Sequence, residues 1–155
     1  MAVVRFADGT EHAVHTIFCI GRNYVAHARE LDNPVPDEPV TFIKPDTALV
    51  HDGDVIRLPR QSQDVHHELE MVVLLGSGGK DIPEQEALHH VAGVGLGIDV
   101  TARDVQNRAK RHSYPWAVGK GFDTFAPVSD LLPPAEVGDL QDQHFELRGN
   151  GELRQ

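Results

Sequence analysis

The alternation of apolar and polar positions predicts strands through most of the chain. Val65-His66-His67-Glu68-Leu69-Glu70-Met71-Val72-Val73-Leu74-Leu75 begins polar and becomes continuously apolar, as a buried strand over 65–75 does. On its pleat Glu68 and Glu70 share a face with His66, Val72 and Leu74, while Leu69, Met71 and Val73 fill the other. Further strands are predicted at 3–6 and 13–20, separated by the turn Asp8-Gly9, at 40–44 and 55–59, and along the glycine-laced run Val91 to Val100. Helical spacing recurs in three places. Asn23 can cap a helix to about Leu31, with Tyr24, Ala28 and Leu31 on one side. Pro83, Glu84 and Glu86 open a short helix that Gly93 follows. Thr101 and Asp104 resemble a capping pair for a helix through Arg111, whose basic residues gather at its end. The prolines of 32–39 make a loop, 132–143 is a polar loop, and Gly149-Asn150-Gly151 turns a hairpin begun by 144–148.

Composition narrows the function classes. With 155 residues, 40% of them hydrophobic, the chain can bury a core as a single domain. Its 14 basic and 24 acidic residues give a net charge of −10, which argues against nucleic acid or an anionic membrane as partner. No stretch approaches the ~20 apolar residues of a membrane span, and the N-terminus turns acidic too soon for a signal peptide, so a cytoplasmic protein is expected. The single cysteine, Cys19, lies in an apolar run, excludes a disulfide framework and is expected in the core. Gly76-Ser77-Gly78-Gly79-Lys80 lacks the spacing of a phosphate loop and is a glycine turn.

The candidate chemistry starts with the paired glutamates. Two like charges on a half-apolar face repel unless a cation sits between them, and an oxygen-rich pair suits Mg²⁺, Mn²⁺ or Ca²⁺. The bland alternative is a strand edge with both glutamates in water; a rival site, His66, Glu68 and Glu70 around iron or zinc, would have to converge across ~6.6 Å per two-residue step. Asp99 closes a buried strand and needs a partner of its own. Arg103 and Gln106 lie one turn apart on the following helix, available to a carboxylate or a substrate. Lys120, between Gly119 and Gly121, is the candidate for recognising substrate charge. His27 and Glu30 are three apart on a helix, a spacing that lets a carboxylate orient an imidazole base.

Taken in order, Gly21-Arg22-Asn23-Tyr24 with His27 and Glu30, Phe42-Ile43-Lys44-Pro45, His67-Glu68-Leu69-Glu70, Asp99 to Gln106, and Lys120-Gly121-Phe122-Asp123-Thr124 resemble the fumarylacetoacetate hydrolase family, in particular its small acylpyruvase and oxaloacetate-decarboxylase-like members. The resemblance implies an α+β fold dominated by strands, a mixed β-sandwich or roll with a few short helices. It implies Mg²⁺ or Mn²⁺ on Glu68, Glu70 and Asp99, substrate contacts from Arg103, Gln106 and Lys120, catalytic roles for His27, Glu30 and Lys120, and a homodimer. The activity so implied is hydrolysis of a carbon–carbon bond in acylpyruvates, 2,4-diketo acids, to pyruvate and a carboxylic acid through a metal-stabilised enolate. Oxaloacetate decarboxylation, which reaches the same enolate, and isomerisation of an unsaturated keto acid, which also passes through a metal-held enolate, stay open. Family domains continue past Gln155 through further strands, so 1–155 is expected to be one catalytic-type domain, incomplete at its C-terminal side. A non-catalytic truncated fragment is the alternative of another class.

Overall fold

A computed structural model describes residues 2–23 and 38–155. Twelve strands run in chain order: β1 (Ala2–Arg5), β2 (Glu11–Val14), β3 (Ile17–Gly21), β4 (Val40–Lys44), β5 (Leu49–His51), β6 (Val65–His66), β7 (Leu69–Leu75), β8 (Val91–Ile98), β9 (Thr101–Ala102), β10 (Ala126–Val128), β11 (Arg148–Gly149) and β12 (Glu152–Leu153). Among the described residues three short helices join them: α1 (Arg103–Arg111), α2 (Ala117–Lys120) and α3 (Pro134–Val137). The result is a strand-dominated α+β fold, as expected. Its largest sheet has the order β5-β10-β8-β7, with β5 and β10 parallel and the other pairs antiparallel. β1 and β2 form the hairpin turned at Asp8-Gly9, and β3 pairs with β4 from Ile17↔Lys44 to Gly21↔Val40.

β8 carries Gly93, Gly95 and Gly97 because large side chains lie directly on it. A Cβ at Gly93 would stand 2.7 Å from the Phe6 ring, and one at Gly95 would stand 2.6 Å from Leu131 Cδ2. Phe6 and Leu131, with Val4 and Val128, make the first buried cluster, against which Val72 and Leu74 of β7 pack. A second cluster, Val100, Ala102, Val105 and Phe125, fills the space between β9, α1 and the segment before β10. The candidate site borders this second cluster.

Several local expectations are corrected. The strand foreseen over 65–75 is two strands. β6 pairs with β9 and β7 with β8, and the chain changes partners at His67-Glu68 because β8 itself ends at Ile98. Residues 55–59 form no strand: the amide of Arg57 donates to the Thr124 hydroxyl at 2.8 Å instead of entering a ladder, and Val55 and Leu58 are exposed. Glu84–His90 is a 3₁₀ segment. Thr101 and Asp104 do not form the capping pair. The Asp104 carboxylate accepts from the Ser62 hydroxyl at 2.6 Å and the Gln63 amide at 3.0 Å, while the Thr101 hydroxyl donates to the Asp99 carbonyl at 3.1 Å. The run 13–20 divides into the end of β2 and β3, and 132–143 contains α3 and a 3₁₀ turn.

Candidate active site

The backbone brings the first two acids together. The β7–β8 ladder runs Leu69↔Ile98, and one step beyond it the Asp99 amide donates to the Glu68 carbonyl at 2.8 Å. Two residues far apart in sequence thus leave the sheet side by side. Their carboxylates are largely buried, with 13% of the Glu68 side chain and 10% of the Asp99 side chain exposed. Burial of two anions requires cations, and three are present.

Lys120 Nζ donates to Glu68 Oε2 at 2.8 Å, Asp99 Oδ2 at 2.5 Å and Thr101 Oγ1 at 2.7 Å. Arg103 Nη2 pairs with the other Glu68 oxygen, while its Nη1 donates to Gln106 Oε1 at 2.7 Å. Lys44, fully buried, donates to the carbonyls of Val100 at 3.0 Å, Phe125 at 2.9 Å and Lys120, and stands 2.9 Å from Asp99 Oδ1. That last contact is an ion pair without hydrogen-bond geometry, so Asp99 Oδ1 is buried with no hydrogen-bond partner among the described residues.

These charges set the local titration. Burial alone would raise the Glu68 carboxyl, but attraction by the Lys120 ammonium and then by Arg103 outweighs it, and the pKa falls to about 2. Burial pushes Lys44 below the ordinary lysine range against the opposing pull of Asp99. Cys19 is not a plain core residue. It faces the site from β3, where burial and then the Asp99 charge push its thiol up to about 12, with Lys44 and Lys120 acting the other way. It is a neutral thiol there, not a nucleophile.

Local structure explains each position. On β4 the residues Val40, Phe42 and Lys44 point inward, so the pleat that buries Phe42 also delivers the Lys44 ammonium. Lys120 closes α2, which packs tightly on α1: a Cβ at Gly119 would stand 3.0 Å from the Gln106 amide nitrogen. Gln106 is therefore buried beside Lys120. The loop after α2 is held by Thr124, whose left-handed backbone (φ 68°) is unfavourable for a β-branched residue and is fixed by the Arg57 hydrogen bond.

Five of the residues singled out from sequence thus meet at one place: Glu68, Asp99, Arg103, Gln106 and Lys120. Glu70 follows on β7, opposite Gly97, near enough for its charge to act on Cys19. The expected three-carboxylate cluster is not closed: among the described residues no three His, Cys, Asp or Glu side chains gather around one point, because the Lys120 ammonium stands between Glu68 and Asp99. The rival His66 site is not formed either, since the His66 ring turns to Asp64 at 2.9 Å. His27 and Glu30 lie outside the described residues. Sequence reasoning missed Lys44 as a site residue, although its place two residues after Phe42 at the end of an apolar strand was the available signal.

Glu68 and Asp99 are buried oxygen donors of the kind a hard divalent cation takes, while the Lys120 ammonium stands between them and Lys44 faces Asp99 Oδ1. No described helix is long and apolar enough to cross a membrane.

Comparison with known proteins agrees with this geometry. The chain is 42% identical over 150 residues to a mitochondrial oxaloacetate tautomerase of Arabidopsis thaliana, covering 97% of this chain and 65% of that protein. It is 43% identical over 139 residues to a mitochondrial oxaloacetate tautomerase of Mus musculus, covering 90% and 63%. The chain therefore spans somewhat under two thirds of these relatives' length. Among solved structures, the fumarylpyruvate hydrolase of Pseudomonas aeruginosa in complex with Mn²⁺ and pyruvate matches with a TM-score of 0.87 and 37% identity, covering 99% of this chain and 69% of that one. The fumarylacetoacetate hydrolase C-terminal profile matches residues 16–155, nine tenths of the sequence, and on that match the chain belongs to the fumarylacetoacetate hydrolase family.

Proposed function

We propose that this chain carries the site of a metal-dependent hydrolase that cleaves acylpyruvates to pyruvate and a carboxylic acid. The observation that carries this reading is the convergence of two buried carboxylates with Lys120, Arg103 and Gln106 at the end of one β-ladder. The Mn²⁺ and pyruvate bound by the Pseudomonas aeruginosa relative support it. Glu68, Glu70 and Asp99 would hold Mg²⁺ or Mn²⁺, and the ion when bound supplies Lewis-acid polarisation of the 2-oxo acid.

The protein's own groups account for the rest. Arg103 and Gln106 orient the substrate's carboxylate and oxo group, and Lys120 supplies positive charge where negative charge develops. His27, oriented by Glu30, takes a proton from water, whose oxygen adds to the distal carbonyl carbon. The carbon–carbon bond then breaks, its electron pair passes to the pyruvate enolate, and a proton returned to carbon completes pyruvate. Lys44 holds Asp99 and the three surrounding carbonyls in place throughout.

A second reading, decarboxylation or tautomerisation of oxaloacetate, is favoured by the two oxaloacetate tautomerases above. Decarboxylation passes through the same pyruvate enolate, tautomerisation through the enolate of oxaloacetate itself with no carbon–carbon bond broken, and neither needs an activated water. Turnover of acetylpyruvate and of oxaloacetate with Mg²⁺, by wild type and by His27→Ala, separates the two. Loss of acetylpyruvate cleavage with retained oxaloacetate turnover in His27→Ala is the expected result. Equal loss of both, or cleavage unaffected by the substitution, would sink the role given to His27.

A further inference from the structure

Each acid of the site meets two cations, one on each of its oxygens. The outer oxygens face partners fixed elsewhere. Glu68 Oε1 pairs with Arg103, which Gln106 braces, and Asp99 Oδ1 faces Lys44, whose ammonium is clamped by three backbone carbonyls. The inner oxygens, Glu68 Oε2 and Asp99 Oδ2, turn to one point, where the Thr101 hydroxyl joins them. Lys120 Nζ stands at that point, 2.8, 2.5 and 2.7 Å from the three oxygens. An ammonium has three N–H donors, so all of them are spent on these side chains. The Phe42 ring also faces Nζ, 4.9 Å away at its centroid.

Oxygens gathered on one point are what a hard divalent ion also takes. Two cations a few ångströms apart in a buried setting repel, so the ammonium and the ion do not share the inner oxygens. One of them has to give way, and the local structure decides how. The backbone at 120 is pinned: its amide donates to the Trp116 carbonyl at 3.1 Å, and its carbonyl accepts from Lys44. A Cβ on Gly121 would stand 2.9 Å from the Ala117 carbonyl oxygen and 3.0 Å from Pro45 Cδ, so the chain just after Lys120 is closely packed as well. The acids are equally fixed, by the register of β7 on β8. What can turn is the four-carbon stem of Lys120.

We propose that Lys120 is a built-in counter-ion that competes with the divalent cation: it pairs the two acids until the ion enters, then turns its ammonium out toward the substrate. This rests on the reading of Glu68 and Asp99 as ligands of the ion. It gives one ammonium two places, the first holding the acids together and the second meeting negative charge on the substrate.

The test has two arms. Lys120→Met keeps the aliphatic stem and removes the charge, while Arg103 and Lys44 still face the acids. Calorimetric titration with Mn²⁺, after treatment with chelator, compares it with wild type. Binding should tighten about tenfold or more, the size of effect that one neighbouring charge exerts on a buried carboxylate. Affinity unchanged or weakened in Lys120→Met overturns the competition and leaves the metal site standing. The second arm needs no variant: reductive methylation of wild type, read at the Lys120 peptide by mass spectrometry. Lys120 should react on the order of tenfold faster with Mn²⁺ than in chelator, as its three hydrogen bonds are exchanged for solvent. Lys44, buried at 1% exposure, should stay slow in both. Equal rates for Lys120 with and without saturating Mn²⁺ overturn the proposal whether or not the variant folds. Mn²⁺ uptake by Lys120→Met alone supports the competition and removes the metal-dependent activity proposed for wild type, whereas uptake by neither protein overturns both.

Discussion

Lys44 is the residue on which the geometry of the site depends most. Its ammonium is buried at 1% exposure, touches three backbone carbonyls from separate segments, and faces Asp99. Replacing it with methionine leaves three buried carbonyls without their donor and removes one of the two cations that face Asp99. Lys44→Met is expected to cost about 3–5 kcal/mol in equilibrium urea unfolding, the range for breaking a buried pair. Lys44→Arg should not restore the loss, since a planar guanidinium does not fit a pocket shaped for one compact ammonium. A variant as stable as wild type would show that the cluster is not organised by this residue. Glu68 offers a pH test in metal-free protein. Its pKa is lowered from 4.5 to about 2 in the fold, so its stabilisation is fully present above about pH 4.5 and is lost as pH falls toward 2. The loss is on the order of 3 kcal/mol at 1.36 kcal/mol per pH unit. Unfolding free energies measured across this window in chelator, wild type against Glu68→Gln, should converge at the acid end.

At the scale of elements, the site is made by strands that stop. β8 ends at Ile98 and β7 begins at Leu69, and the unpaired step between β6 and β7 turns Glu68 beside Asp99 rather than along a sheet face. The short α2 then has to approach α1 closely enough to insert Lys120. Gly119 permits that approach, since its missing Cβ would lie 3.0 Å from the Gln106 nitrogen and 3.2 Å from Gln106 Cα, backbone atoms that cannot yield. Gly119→Ala should therefore destabilise by about 1–3 kcal/mol, the usual cost of overpacking, and tighten Mn²⁺ binding by displacing Lys120. Urea unfolding and calorimetric titration with Mn²⁺ check the two parts separately. Unaltered stability would mean that the helices can separate at no cost.

For the whole molecule, a bound divalent cation must stabilise the folded state if the carboxylates are its ligands. At a hundred times its dissociation constant, Mn²⁺ should add about 2.7 kcal/mol. For a chain of this size that is on the order of 5–10 °C in melting temperature. Glu68→Gln should abolish most of the shift, and absence of any shift in wild type would count against the metal site itself. The outer face of β3 and β4 leaves Phe18, Ile20 and Ile43 exposed at 73%, 50% and 49%. This apolar face supports the homodimer we propose, which would cover it with a second copy. Sedimentation velocity should then show a smaller assembly for Phe18→Asp than for wild type. A wild-type monomer would remove the proposal.

How much of this was legible beforehand follows from which signals are local. Strand-rich character, the turn at Asp8-Gly9, the helix running to Arg111 and the placing of Arg103 and Gln106 on one of its faces follow from spacing alone, because period and turn chemistry are properties of neighbouring residues. The identities of Glu68, Asp99 and Lys120 as site residues were readable as charges placed in apolar or glycine-flanked settings. Sequence could not say that an ammonium would stand between the two acids. That depends on β7 meeting β8 at one register and on α2 packing against α1, contacts between segments well separated along the chain. The division of 65–75 was hidden for the same reason, since a strand ends where its partner does. Lys44 was missed because it acquires its role from distant groups, the carbonyls at 100, 120 and 125. Local chemistry is written along the chain, whereas the balance of buried charge is decided only when the segments are brought together.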